Sequence, residues 1–400
     1  MSGPDAVEAT PSLPHFLFDI GNLDALFAAL RVRGYTVVGP TRRDGAIVYD
    51  EIDSAAELPA GWTDDQQPGH YRLRKRSDQA RFGFAVGPHA WKRFLHPPAL
   101  RLLAARRSGR GSAFETEDAP AGPVPKYAFV GVRACELAAI ARQDQVFLQG
   151  PYVDRSYEAR RKDVFIVAVQ CTAPAGTCFC VSMRTGPHVD GGADLVLTEV
   201  VGAARHVMVG RAGTALGAEV LADVPHLPAT AEDEREAAVG VDAAAERMGR
   251  SLDVDGVREA LLQNPEHPRW DQVAARCLTC GSCTMSCPTC FCTTIDDAVS
   301  LRADRAERWR KWDTCFTVEF SYMHGGSVRS SPRSRYRQWL MHKLGTWHEQ
   351  FGVSGCVGCG RCITWCPVGI DITVEATAIR EAGAGVVGSA VRTESIDDHC

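Results

Sequence analysis

Two segments of the chain repeat one cysteine pattern, and this repeat constrains the fold more than any other feature of the sequence. The first runs Cys277-x2-Cys280-x2-Cys283-x3-Cys287-Pro288, and the second runs Cys356-x2-Cys359-x2-Cys362-x3-Cys366-Pro367. The pattern is typical of bacterial ferredoxins, in which each run supplies three thiolates to one cubane [4Fe–4S] cluster and a fourth thiolate to the other. The two runs are therefore expected to lie close together in the folded protein, whatever fold the rest of the chain adopts.

The crossed fourth ligand gives a definite assignment of the thiols. Cluster one takes Cys277, Cys280, Cys283 and Cys366. Cluster two takes Cys356, Cys359, Cys362 and Cys287. Zinc also binds paired cysteines, but a zinc site needs two pairs rather than four cysteines in a row followed by proline. The repeat therefore favours iron–sulfur clusters over zinc.

The rest of the composition is that of an ordinary globular protein. Hydrophobic residues make up 45% of the 400 residues and charged residues 23%, and the net charge of −5 favours neither a nucleic-acid partner nor an anionic membrane. No apolar run approaches the ~20 residues that span a bilayer, and no signal-peptide layout is recognisable. We therefore expect a cytoplasmic protein, in which 16 cysteines indicate metal binding rather than disulfides.

The middle of the chain predicts a second kind of cysteine cluster. Residues 127–132 and 164–169 have the length and branching of buried strands, and the helical pattern between them predicts a parallel β-α-β unit. Cys135 and Cys171 each follow one strand, and the carboxyl ends of parallel strands share an edge where ligands bind. The motif Thr-Cys-Phe-Cys at residues 177–180 adds two thiols to the same loop region. We predict that four thiols here hold a third [4Fe–4S] cluster: Cys135, Cys171, Cys178 and Cys180. The alternative is that they pack as small hydrophobes.

The motif Thr-Cys-Phe-Cys recurs at residues 289–292, directly after the first ferredoxin run. Its thiols, Cys290 and Cys292, make a group of three with Cys315, one fewer than an all-cysteine cubane needs. A mixed-ligand fourth cluster is one interpretation. The one that we expect is packing beside clusters one and two, where nearby sulfur and burial tune redox potential. Cys400, the last residue, is expected to be free.

The uneven placement of the cysteines predicts the domain organisation. We expect an α/β domain with the third cluster site over residues 1–228, an α-helical ferredoxin domain with two [4Fe–4S] clusters over 229–380, and a flexible tail over 381–400. Residues 298–312 and 333–347, which lie between the two runs, look helical. This layout resembles the α-helical ferredoxin module of succinate dehydrogenase iron–sulfur subunits and heterodisulfide reductase-like proteins.

The segment between the two runs is also basic, with tryptophans interleaved among its arginines and lysines. One interpretation is a solvated helix face with the tryptophans in the core. The other is a docking face for an acidic partner subunit. The sequence leaves both open.

Four stretches carry a resemblance to a known family: VGVRACELAAIARQDQVFLQG, AVQCTAPAGTCFCVSMRTGP, CLTCGSCTMSCPTCFCTT and CVGCGRCITWCPVGIDIT. They resemble the β subunit of cytoplasmic NADP-linked [NiFe] hydrogenases, also called sulfhydrogenases, to which the A subunit of anaerobic sulfite reductase is a near relative. One departure is Arg-Ala-Cys135-Glu, where relatives often have Arg-Pro-Cys-Asp. The resemblance implies that the chain relays electrons between the hydrogenase small and large subunits and a flavin subunit that binds NAD(P)H.

The expected function is therefore that of a non-catalytic electron-transfer subunit in an oxidoreductase complex, with no catalytic residue of its own and no nucleic-acid or membrane partner. The alternative is an electron-transfer protein that serves anaerobic sulfite reduction, as the near relative does. A metal-stapled structural or binding protein is the alternative of a different class, and redox-active iron would exclude it.

Overall fold

The computed structural model describes residues 15–85, 87–107, 114–117, 124–203 and 205–387. Its strands are β1 (His15–Asp19), β2 (Thr36–Arg43), β3 (Ala46–Glu51), β4 (Trp62–Gln67), β5 (His70–Lys75), β6 (Ala99–Arg107), β7 (Phe114–Glu117), β8 (Tyr127–Val132), β9 (Phe165–Val169), β10 (Leu195–Val201), β11 (His206–Ala212), β12 (Leu227–Pro228), β13 (Thr293–Val299), β14 (Arg305–Trp312), β15 (Tyr322–Met323) and β16 (Gly326–Ser327). Its helices are α1 (Leu23–Val32), α2 (Lys92–Leu95), α3 (Ala134–Leu148), α4 (Arg155–Arg161), α5 (Ala215–Leu221), α6 (Ala231–Glu246), α7 (Val257–Gln263), α8 (Arg269–Ala274), α9 (Ser282–Met285), α10 (Pro332–Met341), α11 (Trp347–Phe351), α12 (Arg361–Thr364) and α13 (Ile372–Val387).

An eight-stranded mixed sheet organises the N-terminal part, in the order β12-β1-β11-β10-β9-β8-β2-β3. The strands β2, β8, β9 and β10 are parallel to one another, and the remaining pairs are antiparallel. Helices α3 and α4 connect β8 to the parallel strand β9, so the predicted β-α-β unit is confirmed. Both central strands are buried because each face of the sheet is covered, with Val130 and Val167 in one core and Phe129 and Ile166 in the other.

The carboxyl ends of β8 and β9 are held together by one buried side chain. The Arg133 guanidinium donates hydrogen bonds to the carbonyls of Gln170 at 2.7 Å and Val169 at 3.3 Å. It also donates to the carbonyls of Phe82 and Phe84. Arg133 precedes Cys135 by two residues, so this contact fixes the loops that carry Cys135 and Cys171 at one edge of the sheet.

A second core surrounds the ferredoxin runs. Helices α7, α8, α10 and α13 supply most of it, including Trp270, Tyr336 and Ile379. Residues 333–347 are helical, as predicted, since α10 continues through a π-helical segment (His342–Thr346) into α11. Phe179 of the first Thr-Cys-Phe-Cys also lies in this core. The N-terminal sheet and the ferredoxin runs therefore share a packed interface.

The prediction of a helix over residues 298–312 is wrong. This segment forms most of the hairpin β13–β14, which joins β6 and β7 in a four-stranded sheet in the order β13-β14-β6-β7. The edge of β6 offers backbone hydrogen bonds that a helix could not use, and cross-strand ion pairs stabilise the strand form. Arg308 pairs with Asp297 at 2.7 Å and Arg101 with Glu307 at 2.7 Å. Much of the basic charge of this segment is therefore paired within the chain.

The predicted domain boundary at residue 229 remains a prediction. Helix α6, just beyond it, packs on β10 and β11 of the N-terminal sheet, whereas α7 and the later helices belong to the second core. The first residues of the predicted flexible tail, 381–387, belong to helix α13, and the rest of the tail, with Cys400, lies outside the described residues. None of the helices described is both long and apolar enough to cross a bilayer.

Candidate metal centres

The thiols assigned to cluster one line a single cavity. Cys277, Cys280 and Cys283 lie on the loop between α8 and α9 and at the start of α9, and Cys366 of the second run faces them across the cavity. Gly281 permits the tight turn before α9, since its φ is +74° and a Cβ there would lie 2.8 Å from Thr314 Cγ2. The predicted crossing therefore brings Cys366 to the first run.

The chemistry around this cavity fits an iron–sulfur cluster. The backbone N–H groups of Thr279 and Ile370 donate to the sulfurs of Cys277 and Cys366 at 3.4 and 3.3 Å. Tyr336 and Trp339 also line the cavity, and among the described residues their buried Oη and Nε1 atoms have no hydrogen-bond partner. Such donors are available to cluster sulfurs, which accept hydrogen bonds that raise redox potential.

The thiols assigned to cluster two surround a neighbouring, more deeply buried position. Cys287 lies close to Cys356, Cys359 and Cys362, as the crossed arrangement requires. Burial raises the pKa of Cys356 to about 12. The pKa of Cys287 is instead well below the usual thiol value, because the Cys290 thiol hydrogen-bonds to it and the Lys343 ammonium lies nearby. This position therefore favours a thiolate at Cys287.

The four thiols predicted for a third cluster also line one cavity. Cys135, Cys171, Cys178 and Cys180 meet there, and Cys359 of the second ferredoxin run lines the same cavity. Burial raises the pKa of Cys180 to about 12, and its sulfur lies 3.9 Å from the Met248 sulfur. The first Thr-Cys-Phe-Cys thus reaches Cys135 and Cys171 at the sheet edge.

Two glycines of the second ferredoxin run hold the first Thr-Cys-Phe-Cys in place. A Cβ on Gly360 would lie 2.4 Å from the Thr177 carbonyl oxygen, and one on Gly358 would lie 2.6 Å from Cys180 Cα. The Phe179 N–H donates to the Gly358 carbonyl at 2.8 Å. These two glycines therefore let the backbones of the two cysteine motifs approach each other closely.

A buried ion pair lies between the second and third sites, and sequence reasoning missed it. The Arg361 guanidinium pairs with the Glu136 carboxylate, and both side chains are shielded from solvent. Glu136 also accepts hydrogen bonds from Tyr49 Oη at 2.8 Å and Trp91 Nε1 at 3.0 Å. Arg361 lies close to Cys359 and Cys135. The only signal in the sequence is that each charged residue directly follows or precedes a cysteine of its motif.

Two buried lysines were also missed. The Lys343 ammonium donates to Thr289 Oγ1 at 2.6 Å and lies close to Cys287 and Cys356. The Lys92 ammonium donates to the Cys290 carbonyl at 3.1 Å. Each lysine is isolated in sequence from the cysteines it contacts, so no spacing pattern could reveal it.

The second Thr-Cys-Phe-Cys lies beside site two. Cys290 neighbours Cys287, and Cys292 neighbours Cys315. A hydrogen bond from the Cys315 thiol lowers the pKa of Cys292 to about 7. The second Thr-Cys-Phe-Cys motif therefore has a different environment from the first, as the sequence predicts.

The spread of the thiols argues against mononuclear zinc. Ligands of one tetrahedral zinc ion lie about 4 Å from one another. Within the described ranges, no three His, Cys, Asp or Glu side chains converge closely enough to hold a single ion. Thiolates bound to the corners of a cubane lie farther apart than the ligands of one zinc ion.

Site two adjoins each of the other two sites. Cys362 is assigned to site two and lines the cavity of site one, whereas Cys359 is assigned to site two and lines the cavity of site three. Site one reaches the surface, where Cys280 is exposed and Leu278 is 61% exposed. Cys135, Cys178 and Cys180 of site three are buried. The thiol sites therefore extend from the surface at site one into the interior.

Comparison with known proteins gives two matches. Residues 276–370 match the family model described as a 4Fe-4S dicluster domain. The chain is also 32% identical over 348 residues to the sulfhydrogenase 2 subunit beta of Pyrococcus furiosus, covering 86% of this chain and 92% of the relative. No solved structure matches the chain significantly.

Proposed function

The chain belongs to the family of sulfhydrogenase β subunits, and from this premise we propose how its residues carry out the role. It is a non-catalytic electron-transfer subunit of an oxidoreductase complex and contains a dicluster domain for at least two [4Fe–4S] clusters. We propose that the crossed sets, with Cys366 in site one and Cys287 in site two, are the ligands of these two clusters.

We propose a third [4Fe–4S] cluster at Cys135, Cys171, Cys178 and Cys180. The support is the common cavity at the sheet edge and its contact with Cys359 of site two. Such clusters, when bound, accept and release single electrons. The residues of the chain hold them side by side, and the buried Lys343 and Arg361 lie close to their thiols.

The observation that supports this proposal is that Cys362 and Cys359 of site two line the cavities of sites one and three, respectively. Electrons would then enter or leave at the exposed end, next to Cys280, and pass through site two. The division into an α/β domain and a ferredoxin domain near residue 229 belongs to the same proposal, as does a cytoplasmic location.

The proposed partners are the small and large subunits of a [NiFe] hydrogenase on one side and a flavin subunit that binds NAD(P)H on the other. The relative is itself named as one subunit of a sulfhydrogenase, which supports a complex of several different chains. A sulfite-reducing complex is the alternative. Purification of the native complex distinguishes them, since a nickel-containing partner supports the first and a partner that consumes sulfite supports the second.

The third cluster is tested by iron content and EPR of the anaerobically purified chain. Cys178→Ser should lose about four irons per chain, the content of one cubane, while signals of the two ferredoxin clusters remain. Cys400→Ser, which changes a cysteine outside both motifs, serves as the control and should lose none. Unchanged iron in Cys178→Ser would overturn the third cluster. Stoichiometric zinc with negligible iron in the wild type would overturn all three.

A further inference from the structure

The mouth of the site-one cavity is bordered by exposed apolar side chains from both ferredoxin runs. Cys280 is exposed there, and Leu278 of the first run is 61% exposed and lines the same cavity. Pro367 and Val368 of the second run also line this cavity and are exposed. Exposed apolar groups that gather at one position are typical of a contact with another protein. A partner that covered this opening would bury apolar surface next to Cys280.

A cleft of about 470 Å³ adjoins this opening along both runs. Arg276 lines the cleft and directly precedes Cys277, and Gly369 lines it and directly follows Val368. Val374 adds a further exposed apolar side chain to the cleft. The opening and the cleft are therefore parts of one surface, which we call the site-one face: Leu278, Pro367, Val368, Val374, Arg250, Arg269 and Arg276.

The three arginines of the site-one face cover two carboxylates. Arg269 and Arg276 donate to the Glu375 carboxylate at 2.5 and 2.6 Å. Arg250 donates to the Asp371 carboxylate at 2.7 Å. The Glu375 side chain is only 2% exposed, whereas that of Arg276 is 45% exposed. The guanidinium groups therefore face solvent with the carboxylates beneath them, and a partner meets a positive surface.

The chemistry of the site-one face fits a protein with an acidic surface. Protein interfaces combine an apolar centre with a polar rim, and opposite charges at the rim steer and orient the two partners. A small anion would bind to the arginines but would leave the apolar side chains beside Cys280 in contact with water. A protein that carries carboxylates around an apolar patch would cover both parts of the face.

We propose that the site-one face binds a small acidic iron–sulfur protein that carries one electron at a time. This inference rests on the proposed function, because it needs a cluster at site one. One electron passes between the iron–sulfur centre of the carrier and that of site one, so one centre is oxidised as the other is reduced, and no bond forms or breaks. Leu278 supplies apolar contact, and Arg276 supplies charge that orients the carrier.

The test measures the dissociation constant of the anaerobically purified full chain for an oxidised, acidic two-cluster ferredoxin by isothermal titration calorimetry. Leu278→Glu should weaken binding about tenfold or more, because it places a negative charge at the apolar centre of the contact. Leu278→Lys removes the same apolar contact but should weaken binding less. Leu301→Glu makes the same change at an exposed leucine between β13 and β14, so it is the control and should bind like the wild type.

Iron content and EPR of every variant are measured alongside the affinities. No binding by an iron-loaded wild type, or equal dissociation constants for Leu278→Glu and the wild type, would overturn the docking face. A greater loss in Leu278→Lys than in Leu278→Glu would overturn the acidic nature of the partner. A wild type that lacks iron at site one would instead overturn the proposed relay, and that failure appears in the iron assay rather than in the affinities.

Measurements on other forms of the chain cover the case in which the variants at Leu278 do not fold. Raising the salt concentration should weaken ferredoxin binding to the wild type, because salt screens the attraction between Arg276 and the carboxylates of the partner. Arg276→Gln leaves Glu375 paired with Arg269 and should reduce this salt dependence. Binding by the wild type that does not change with salt, or an unaltered salt dependence in Arg276→Gln, would overturn the proposal.

Discussion

Cys359 and Cys362 stand three residues apart and line two different cavities, Cys359 the one with Cys135 and Cys362 the one with Cys277. The short helix α12 lies between them and carries Arg361. One turn of backbone therefore contacts all three proposed sites. Changes on this turn should affect more than one site at once, and the glycines and the arginine that position it are the places to test the account.

The first prediction concerns Gly360. Gly360→Ala should destabilise the fold and lose about four irons, because the new Cβ would meet the Thr177 carbonyl oxygen at 2.4 Å and push the first Thr-Cys-Phe-Cys from its cavity. Gly256→Ala is a matched control, since Gly256 also precedes a short helix at φ +71° but has no atom within 4 Å of a Cβ. The control should cost only the left-handed strain of about 1–2 kcal/mol. Iron content and thermal unfolding are measured for both variants. Equal iron content and equal stability of the two variants would contradict the close packing of Gly360 against Thr177.

The second prediction concerns the ion pair of Arg361 and Glu136. Arg361→Met should lower the free energy of unfolding by about 3–5 kcal/mol, because it leaves the Glu136 carboxylate buried without its partner. The double variant Arg361→Met/Glu136→Gln should recover part of the lost free energy of unfolding. Arg155→Met removes the exposed pair with Glu158 and should cost at most about 1 kcal/mol. Anaerobic denaturant titration compares the free energies of unfolding of these variants. A double variant that is less stable than Arg361→Met would contradict the prediction.

The third prediction concerns Lys343. Lys343→Met should lower the reduction potential of the cluster at site two, because a buried positive charge beside Cys287 and Cys356 stabilises the added electron. A tenfold effect on the equilibrium corresponds to about 60 mV. EPR-monitored redox titration measures the shift, and Lys162→Met, which removes an exposed lysine, should leave the potential unchanged. A potential that stays the same or rises in Lys343→Met would rule out the electrostatic role.

The fourth prediction concerns pH and His96. Burial, with Arg310 and Lys92 nearby, lowers the pKa of His96 to about 3, below the ~6.5 of an unfolded histidine. The unfolded chain therefore binds a proton that the folded chain does not, and stability that is complete above ~6.5 declines as the pH falls toward 3. Between pH 7 and pH 5 the wild type should lose about 2 kcal/mol that His96→Leu does not lose. Anaerobic denaturation at both pH values measures this, and equal losses would contradict it.

The sequence correctly predicted the features that depend on the spacing of residues within short segments. The two ferredoxin runs, the strands β8 and β9, and the meeting of Cys135 with Cys171 and the first Thr-Cys-Phe-Cys all follow from patterns a few residues long. The crossing of Cys287 and Cys366 also follows, because three adjacent thiolates leave one ligand of a cubane to be supplied from elsewhere. The structure places these residues together as predicted.

The features that sequence reasoning missed depend on distant partners. Residues 298–312 form most of a hairpin rather than a helix because the edge of β6, which lies far earlier in the chain, pairs with β14. Lys92 and Lys343 give no sign of burial in their own neighbourhoods, since a lysine is ordinarily a solvent-exposed residue. The same hairpin and lysines define the surroundings of the second Thr-Cys-Phe-Cys, so its role could not be inferred from the motif alone.

The central claim is that three clusters lie side by side and that the two ferredoxin runs exchange their fourth ligands. An anomalous difference map from an anaerobically grown crystal, recorded at the iron edge, tests it most directly. We predict iron among Cys277, Cys280, Cys283 and Cys366, among Cys356, Cys359, Cys362 and Cys287, and among Cys135, Cys171, Cys178 and Cys180. Iron bound by Cys287 together with Cys277, Cys280 and Cys283, or no iron beside Cys135, would contradict the account.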